Sequence, residues 1–132
     1  MATPHGRLVA HDVGELVGVS GTTIGQWARR GYIRSSQRAT EPRLYSVEDV
    51  AEAAIIRALL ARGVRRRDIR RAVARLREAE GEWPLSRARL ATVDRRLLLH
   101  DPDAGWLELG ARGWQAVAAP AHPDEVRLRL GV

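Results

Sequence analysis

The sequence predicts an α+β protein, in which four N-terminal helices are followed by a small β-rich C-terminal unit. Three observations carry that prediction. Apolar residues recur at helical spacing from Val13 to Leu76. Beyond Pro84 the period falls to two, as in Arg89-Leu90-Ala91-Thr92-Val93. Between these regimes lies Glu78-Ala79-Glu80-Gly81-Glu82-Trp83-Pro84, an acidic stretch with Gly and Pro that reads as a boundary. The expected divisions are therefore 8–78 and 83–132. The length of 132 residues suits one domain, or one small domain with an appendage.

The elements follow in order. Leu8-Val9-Ala10 is a short apolar lead-in. Asp12 is a candidate N-cap, with Val13, Leu16 and Val17 on one face of the helix it opens. Gly18-Val19-Ser20-Gly21 breaks that helix and starts a second, capped by Ser20 or Thr22 and running through Ile24, Gln26, Trp27 and Ala28. Gly31 is placed to end it in a left-handed conformation. Two short helices joined by a tight glycine-containing turn form a helix-turn-helix candidate. Trp27, spaced from Thr23 and Ile24, is predicted to lie in the core. Gly25 sits inside the second helix, where glycine costs about 1 kcal/mol relative to alanine.

Residues 34–43 are polar and lack helical periodicity. They read as an exposed loop or small hairpin, which after a helix-turn-helix makes a wing. Ser46-Val47-Glu48-Asp49 is a capping-box start. Val47, Val50, Ala51, Ala54, Ile55, Ala58 and Leu59 then repeat at helical spacing, and Arg62-Gly63 ends the third helix. A fourth helix is expected from Arg66 to Glu78, with Ile69, Val73 and Leu76 inward. Further on, Asp94-Arg95 and Asp101-Pro102-Asp103-Ala104-Gly105 read as turns separating Arg89–Val93, Arg96–His100 and Trp106–Leu109. Trp114–Ala118 and the alternating Val126–Leu130 are further strand candidates.

Charge divides along the same line. All 22 cations are arginine and there are 16 acids, for a net +6. Residues 1–77 hold 15 arginines and 7 acids, whereas residues 78–132 hold 7 and 9, so the halves carry +8 and −2. A basic N-terminal part suggests a polyanion as partner. Residues 65–77 alone hold seven arginines against Asp68. That run is either a solvated face or a contact for phosphates or an acidic segment.

Several classes fall away. With no cysteine there are no disulfides, thiolate metal sites or cysteine nucleophiles. No apolar run approaches the ~18 residues of a membrane span, and Met1–Arg7 lacks a signal-peptide stretch. A soluble, cytoplasmic protein with no membrane partner is expected, nucleoid-associated if it binds DNA. His5, His11, His100 and His122 are scattered, and no P-loop, GxGxxG or GxSxG is present. No enzymatic role, metal or cofactor is expected.

The combined order then becomes recognisable. Val13-Gly14-Glu15-Leu16-Val17-Gly18-Val19-Ser20, Thr23-Ile24, Trp27, Gly31-Tyr32-Ile33 and Arg43-Leu44-Tyr45-Ser46-Val47-Glu48-Asp49-Val50 together resemble the DNA-binding domain of the MerR family. So does Ala61-Arg62-Gly63-Val64-Arg65-Arg66-Arg67-Asp68-Ile69. The resemblance spans about residues 8–78. It departs where the family shows LRYY and this chain has Ile24-Gly25-Gln26-Trp27. The long dimerisation helix usual in MerR regulators and the cysteines of its sensor members are also missing. The C-terminal part, from Trp83-Pro84-Leu85-Ser86 to Gly113-Trp114-Gln115, is similar to the short β tail of MerR-like proteins of the VapB-type antitoxin kind.

The resemblance implies a winged helix-turn-helix whose second helix enters the major groove of double-stranded promoter or operator DNA. Ser20 lies at the start of that helix, and Thr22, Thr23 and Gln26 would face the DNA, with Gln26 able to pair with adenine. Arg29 and Arg30 would reach phosphates from the helix end. Arg34, Arg38 and Arg43 with Tyr45 would clamp the backbone from the wing. Competing readings stay open: Gln26, Arg29 and Arg30 as solvated surface, and Tyr45 as a packing residue. The family also implies a homodimer on a pseudo-palindromic site, since one short helix reads too few bases. It implies distortion of promoter DNA and regulation of transcription. Residues 83–132 would serve dimerisation, partner or ligand binding. The alternative reading is an antitoxin that neutralises a toxin through this region and represses its own operon.

Overall fold

The computed structural model describes residues 4–126 of the chain. Ala10–Val17 form α1, which starts two residues ahead of the expected cap because Val9, not Asp12, stands at its N-cap. Asp12 occupies the first turn instead, where a carboxylate suits the helix dipole. Val13 and Val17 are buried, but Leu16 is 36% exposed, so the inward stripe is narrower than the spacing suggested. Gly21–Arg29 form α2, and Ser20 caps it: its Oγ accepts from the Thr23 N–H at 3.0 Å. Ile24 and Trp27 bury the inner face of α2, as predicted for Trp27. Gly14 lets the two helices close on each other. A Cβ there would stand 2.5 Å from the Val19 carbonyl oxygen, so any side chain would push the turn away. Gly31 takes φ +79°, the left-handed value expected of it.

The segment after α2 folds back as a small hairpin, with an antiparallel bridge between Arg38 and Leu44 and a cis peptide at Glu41-Pro42. Leu8 bridges Tyr45 on the other side, through Leu8 N–H to Tyr45 O at 2.8 Å and Tyr45 N–H to Leu8 O at 2.7 Å. Val47–Ala61 form α3. Its start is the reciprocal cap that the sequence announced: Ser46 N–H donates to Asp49 Oδ2 at 2.9 Å and Asp49 N–H to Ser46 Oγ at 3.1 Å. Val47 does not join the apolar face and is 55% exposed, because the first residue of α3 lies outside the packed stripe of Val50, Ala53, Ala54, Ile56 and Leu59.

The chain divides into two compact units, and the division falls inside α3, between Arg57 and Ala58. The second unit contains α4 (Arg66–Glu80), with Ile69, Val73 and Leu76 buried as predicted. It also contains a short helix that periodicity did not announce, α5 (Pro84–Arg87), started by a proline in its first turn. The strands β1 (Arg89–Val93), β2 (Arg96–Asp101), β3 (Gly105–Gly110), β4 (Gly113–Ala116) and β5 (Asp124–Glu125) form one antiparallel sheet in the order β4-β3-β2-β1-β5. The fold class is thus α+β, as expected. Only Val126 of the Val126–Leu130 candidate strand lies among the described residues, and it donates its N–H to Leu90 O at 2.9 Å.

Both predicted turns hold. Asp94 and Arg95 take φ +48° and +70°, the pair of left-handed values that a two-residue hairpin turn demands. Asp101 Oδ1 accepts from the N–H groups of Asp103 and Ala104, both at 2.8 Å. These two donors hold the Asp101 carboxyl below its ordinary range.

Candidate nucleic-acid interface

The nine residues of α2 present two distinct surfaces. Ile24 and Trp27 point into the core, whereas Thr22, Gln26, Arg29 and Arg30 are exposed. Their spacing places Thr22, Gln26, Arg29 and Arg30 along one outward strip of the helix. Ser20 is exposed and Thr23 half-buried, and their hydroxyls meet at 2.9 Å in the cap. That contact fixes the first turn of α2. Helix geometry leaves the earliest N–H groups without intrahelical partners, so this end favours an anion.

Beside that end lies a cleft of about 450 Å³. Gly21, Thr22, Gly25 and Arg29 of α2 form one wall. Ala10 and His11, at the start of α1, form another, and His11 Nε2 pairs with Glu15 at 3.0 Å. The hairpin supplies Glu41, Pro42, Arg43 and Tyr45, so the cleft holds two arginines and one carboxylate.

Arg43 is held by design of the local sequence. Its Nη1 donates to Ser35 Oγ at 3.0 Å, and its Nε lies 3.7 Å from Glu41 Oε1. The Nε is nonetheless buried without a hydrogen bond. Tyr45, expected on the wing's DNA-facing side, is 0% exposed, and its hydroxyl also has no hydrogen-bond partner. Burial pushes the Tyr45 hydroxyl up from 10, against the pull of the Arg43 charge. It therefore stays a neutral donor across the physiological range.

The remaining wing cations differ in placement. Arg38 is exposed on the hairpin, and Arg34 is half-buried at its root. The root itself is a polar network that sequence reasoning did not foresee. Ser36 donates its N–H and its hydroxyl to Asp49 Oδ2, at 2.8 and 2.7 Å. The Ser36 and Ser46 hydroxyls also meet, at 2.7 Å, and with the Ser36 proton given to Asp49 the Ser46 hydroxyl is the donor. Only half of this network had a signal in the sequence, the Ser46-x-x-Asp49 spacing.

An N-terminal strap is the second feature missed. Gln37 Nε2 donates to Gly6 O at 2.6 Å, and Val47 N–H to His5 O at 2.7 Å. The His5 ring and its N–H meet the Glu48 carboxylate at 2.7 and 3.0 Å. Partial burial raises the Glu48 carboxyl, but these His5 contacts outweigh it and bring it down to about 2.

In the second unit the arginine run of α4 is not one surface. Arg66, Arg67 and Arg70 are exposed, whereas Arg71 turns to the β3–β4 end and donates to Gly110 O. Arg71 also approaches Asp68 at 3.9 Å. Among the described residues no group of three His, Asp or Glu side chains is arranged to hold a metal ion, and no helix is long and apolar enough to cross a membrane.

Two short helices closed by a glycine-bearing turn, with a hairpin after them, place the domain in the helix-turn-helix class. The family model described as MerR HTH family regulatory protein matches residues 10–76, which is half of the chain. The chain belongs to the MerR family of helix-turn-helix regulators, and its role is that of a DNA-binding transcriptional regulator. No curated protein and no solved structure gives a significant match.

Proposed function

We propose that residues 8–78 bind double-stranded operator DNA with α2 in the major groove, and that the protein acts as a homodimer in the cytoplasm. The observation that carries this reading is the exposed strip of α2 lying directly beside the cleft of Arg29, Arg43 and Tyr45. Thr22 and Gln26 stand where base edges would lie, and a glutamine there forms a bidentate pair with adenine. Ser20 and Thr23 hold the helix end in register against the backbone. Arg30, Arg34 and Arg38 add phosphate contacts around the strip. Arg29 and Arg43 seat one phosphate in the cleft, with Tyr45 as the floor beneath them. Residues 83–132 supply the contact with the second copy or with a protein partner. The toxin-partner reading rests on the resemblance of the tail alone.

Selection of bound duplexes from a random pool, with the oligomeric state measured alongside, tests the proposal. A pseudo-palindromic consensus bound by a dimer is expected, and recovery of no consensus overturns it. With the selected duplex, Arg43→Ala should lower the slope of log affinity against log salt by about 0.9, the value of one phosphate. Gln26→Ala should relax preference at one base pair. Equal loss on every sequence removes Gln26 from base readout.

A further inference from the structure

The glycine inside α2 makes none of the DNA contacts proposed for that helix. Gly25 lies in the middle of a nine-residue helix, where glycine is the least favourable residue apart from proline. It is neither a turn nor a cap, and no left-handed backbone requires it there. Its environment points to one neighbour. A Cβ built at position 25 would meet a single group within 4 Å, the Arg29 Nη1 at 3.3 Å. Arg29 is one turn further along, exposed, and makes no hydrogen bond or ion pair among the described residues. Gly25 and Arg29 line the same cleft as Arg43 and Tyr45. The Arg29 charge also reaches the Tyr45 hydroxyl beneath the hairpin.

We infer that Gly25 is a socket: by having no side chain, it lets the Arg29 guanidinium lie back along α2 into the cleft, where it becomes the second cation of a DNA phosphate seat shared with Arg43. The inference rests on the proposed DNA-binding reading and adds a residue that makes no contact of its own. An arginine at the last position of a helix ordinarily extends into solvent, where its charge is screened and its rotamers are free. Folded back over a bare Cα, the same guanidinium is pre-positioned and loses less freedom when a phosphate arrives. A β-carbon at 25 would move Nη1 by a few tenths of an ångström, and a branched side chain would move it further. Gly25 is therefore a positioning residue, and its cost in helix stability is the counterpart of a gain in binding.

The test separates stability from affinity in the intact protein. Gly25→Ala, Arg29→Ala and the double variant are titrated against the selected duplex over a salt series by fluorescence anisotropy, and each is melted in the absence of DNA. Gly25→Ala should raise the melting temperature, since alanine is the better helix former. It should nevertheless weaken DNA binding, by about three- to tenfold. In the Arg29→Ala background the same substitution should leave affinity unchanged, and Arg29→Ala itself should flatten the salt slope by about 0.9. Unchanged affinity of Gly25→Ala, alongside weakened Arg29→Ala, overturns the socket. Equal weakening with and without Arg29 also overturns it, because the β-carbon would then collide with DNA directly. An unchanged salt slope in Arg43→Ala would instead overturn the phosphate seat, so the two failures are distinguishable.

Discussion

Tyr45→Phe should stabilise the protein. The Tyr45 side chain is 0% exposed and its hydroxyl makes no hydrogen bond, so in the folded state it has given up water and received nothing. Such a group costs roughly 1–3 kcal/mol, whereas phenylalanine keeps the ring and its packing. The small void left by the oxygen returns part of that gain as lost dispersion contacts. A net stabilisation of about 1 kcal/mol at pH 7 is therefore expected, which for a domain of this size raises the melting temperature by about 4 °C. The assay is thermal unfolding followed by circular dichroism. Its pH dependence supplies an independent check. Burial raises the tyrosine above its ordinary value of 10, so the unfolded chain ionises first as pH rises. The stability tied to the neutral hydroxyl is fully present below pH 10 and drains away above it. Phenylalanine has no such loss, so the advantage of the variant should widen between pH 9 and 11. A Phe variant that melts lower at pH 7, or a difference that stays flat through pH 11, would refute the reasoning, because the hydroxyl would then have a partner.

Three further outcomes follow from the same structure. Asp49→Ala should cost about 3 kcal/mol in urea unfolding, since one buried oxygen accepts from Ser36 N–H, Ser36 Oγ and Ser46 N–H. The Glu48 carboxyl, brought down to about 2 by His5, contributes stability above pH 4.5 that is lost as pH falls toward 2. His5→Ala keeps the backbone N–H donor and loses only the ring, so it should reduce the acid sensitivity in that window without abolishing it, read as melting temperature against pH. Arg95→Gly should stabilise the β1–β2 hairpin by about 1 kcal/mol, because φ +70° is cheap only for glycine. Chemical-denaturation midpoints would show it, and a lower midpoint would mean that the Arg95 side chain contributes more than its backbone strain costs.

What could be read in advance was whatever repeats or punctuates. The helices α3 and α4 carry long apolar stripes, and Ser46 and Asp49 announce the cap between wing and helix. Asp94-Arg95 and Asp101–Gly105 carry turn chemistry in their side chains, so the strands β1, β2 and β3 could be marked off, though not their order in the sheet. Leu16 and Val47 went astray because short helices and helix starts have too few turns for spacing to say which side is covered. The helix α5 escaped for the same reason, being four residues long. At the candidate interface, Thr22 and Gln26 are exposed as the resemblance implied, whereas Thr23 is half-buried in the Ser20 cap. The cleft was not foreseen, because it is assembled from Ala10, Gly21, Arg43 and other residues far apart in the chain. Nor could the sequence distinguish a Tyr45 that touches a ligand from one that is sealed beneath an arginine.

The carboxylate of Asp49 joins two things usually discussed apart. One oxygen receives both the root of the hairpin, through Ser36, and the start of α3, through Ser46. The wing is thus not an interchangeable loop. Residues 39–42 at its tip can be replaced to alter what it touches, but a transplanted wing must bring a hydroxyl and an N–H to the place of Ser36, or the helix behind it loses its beginning. Any force that bound DNA exerts on the hairpin is likewise delivered to the first turn of α3, which makes that turn the natural place to look for a change on binding.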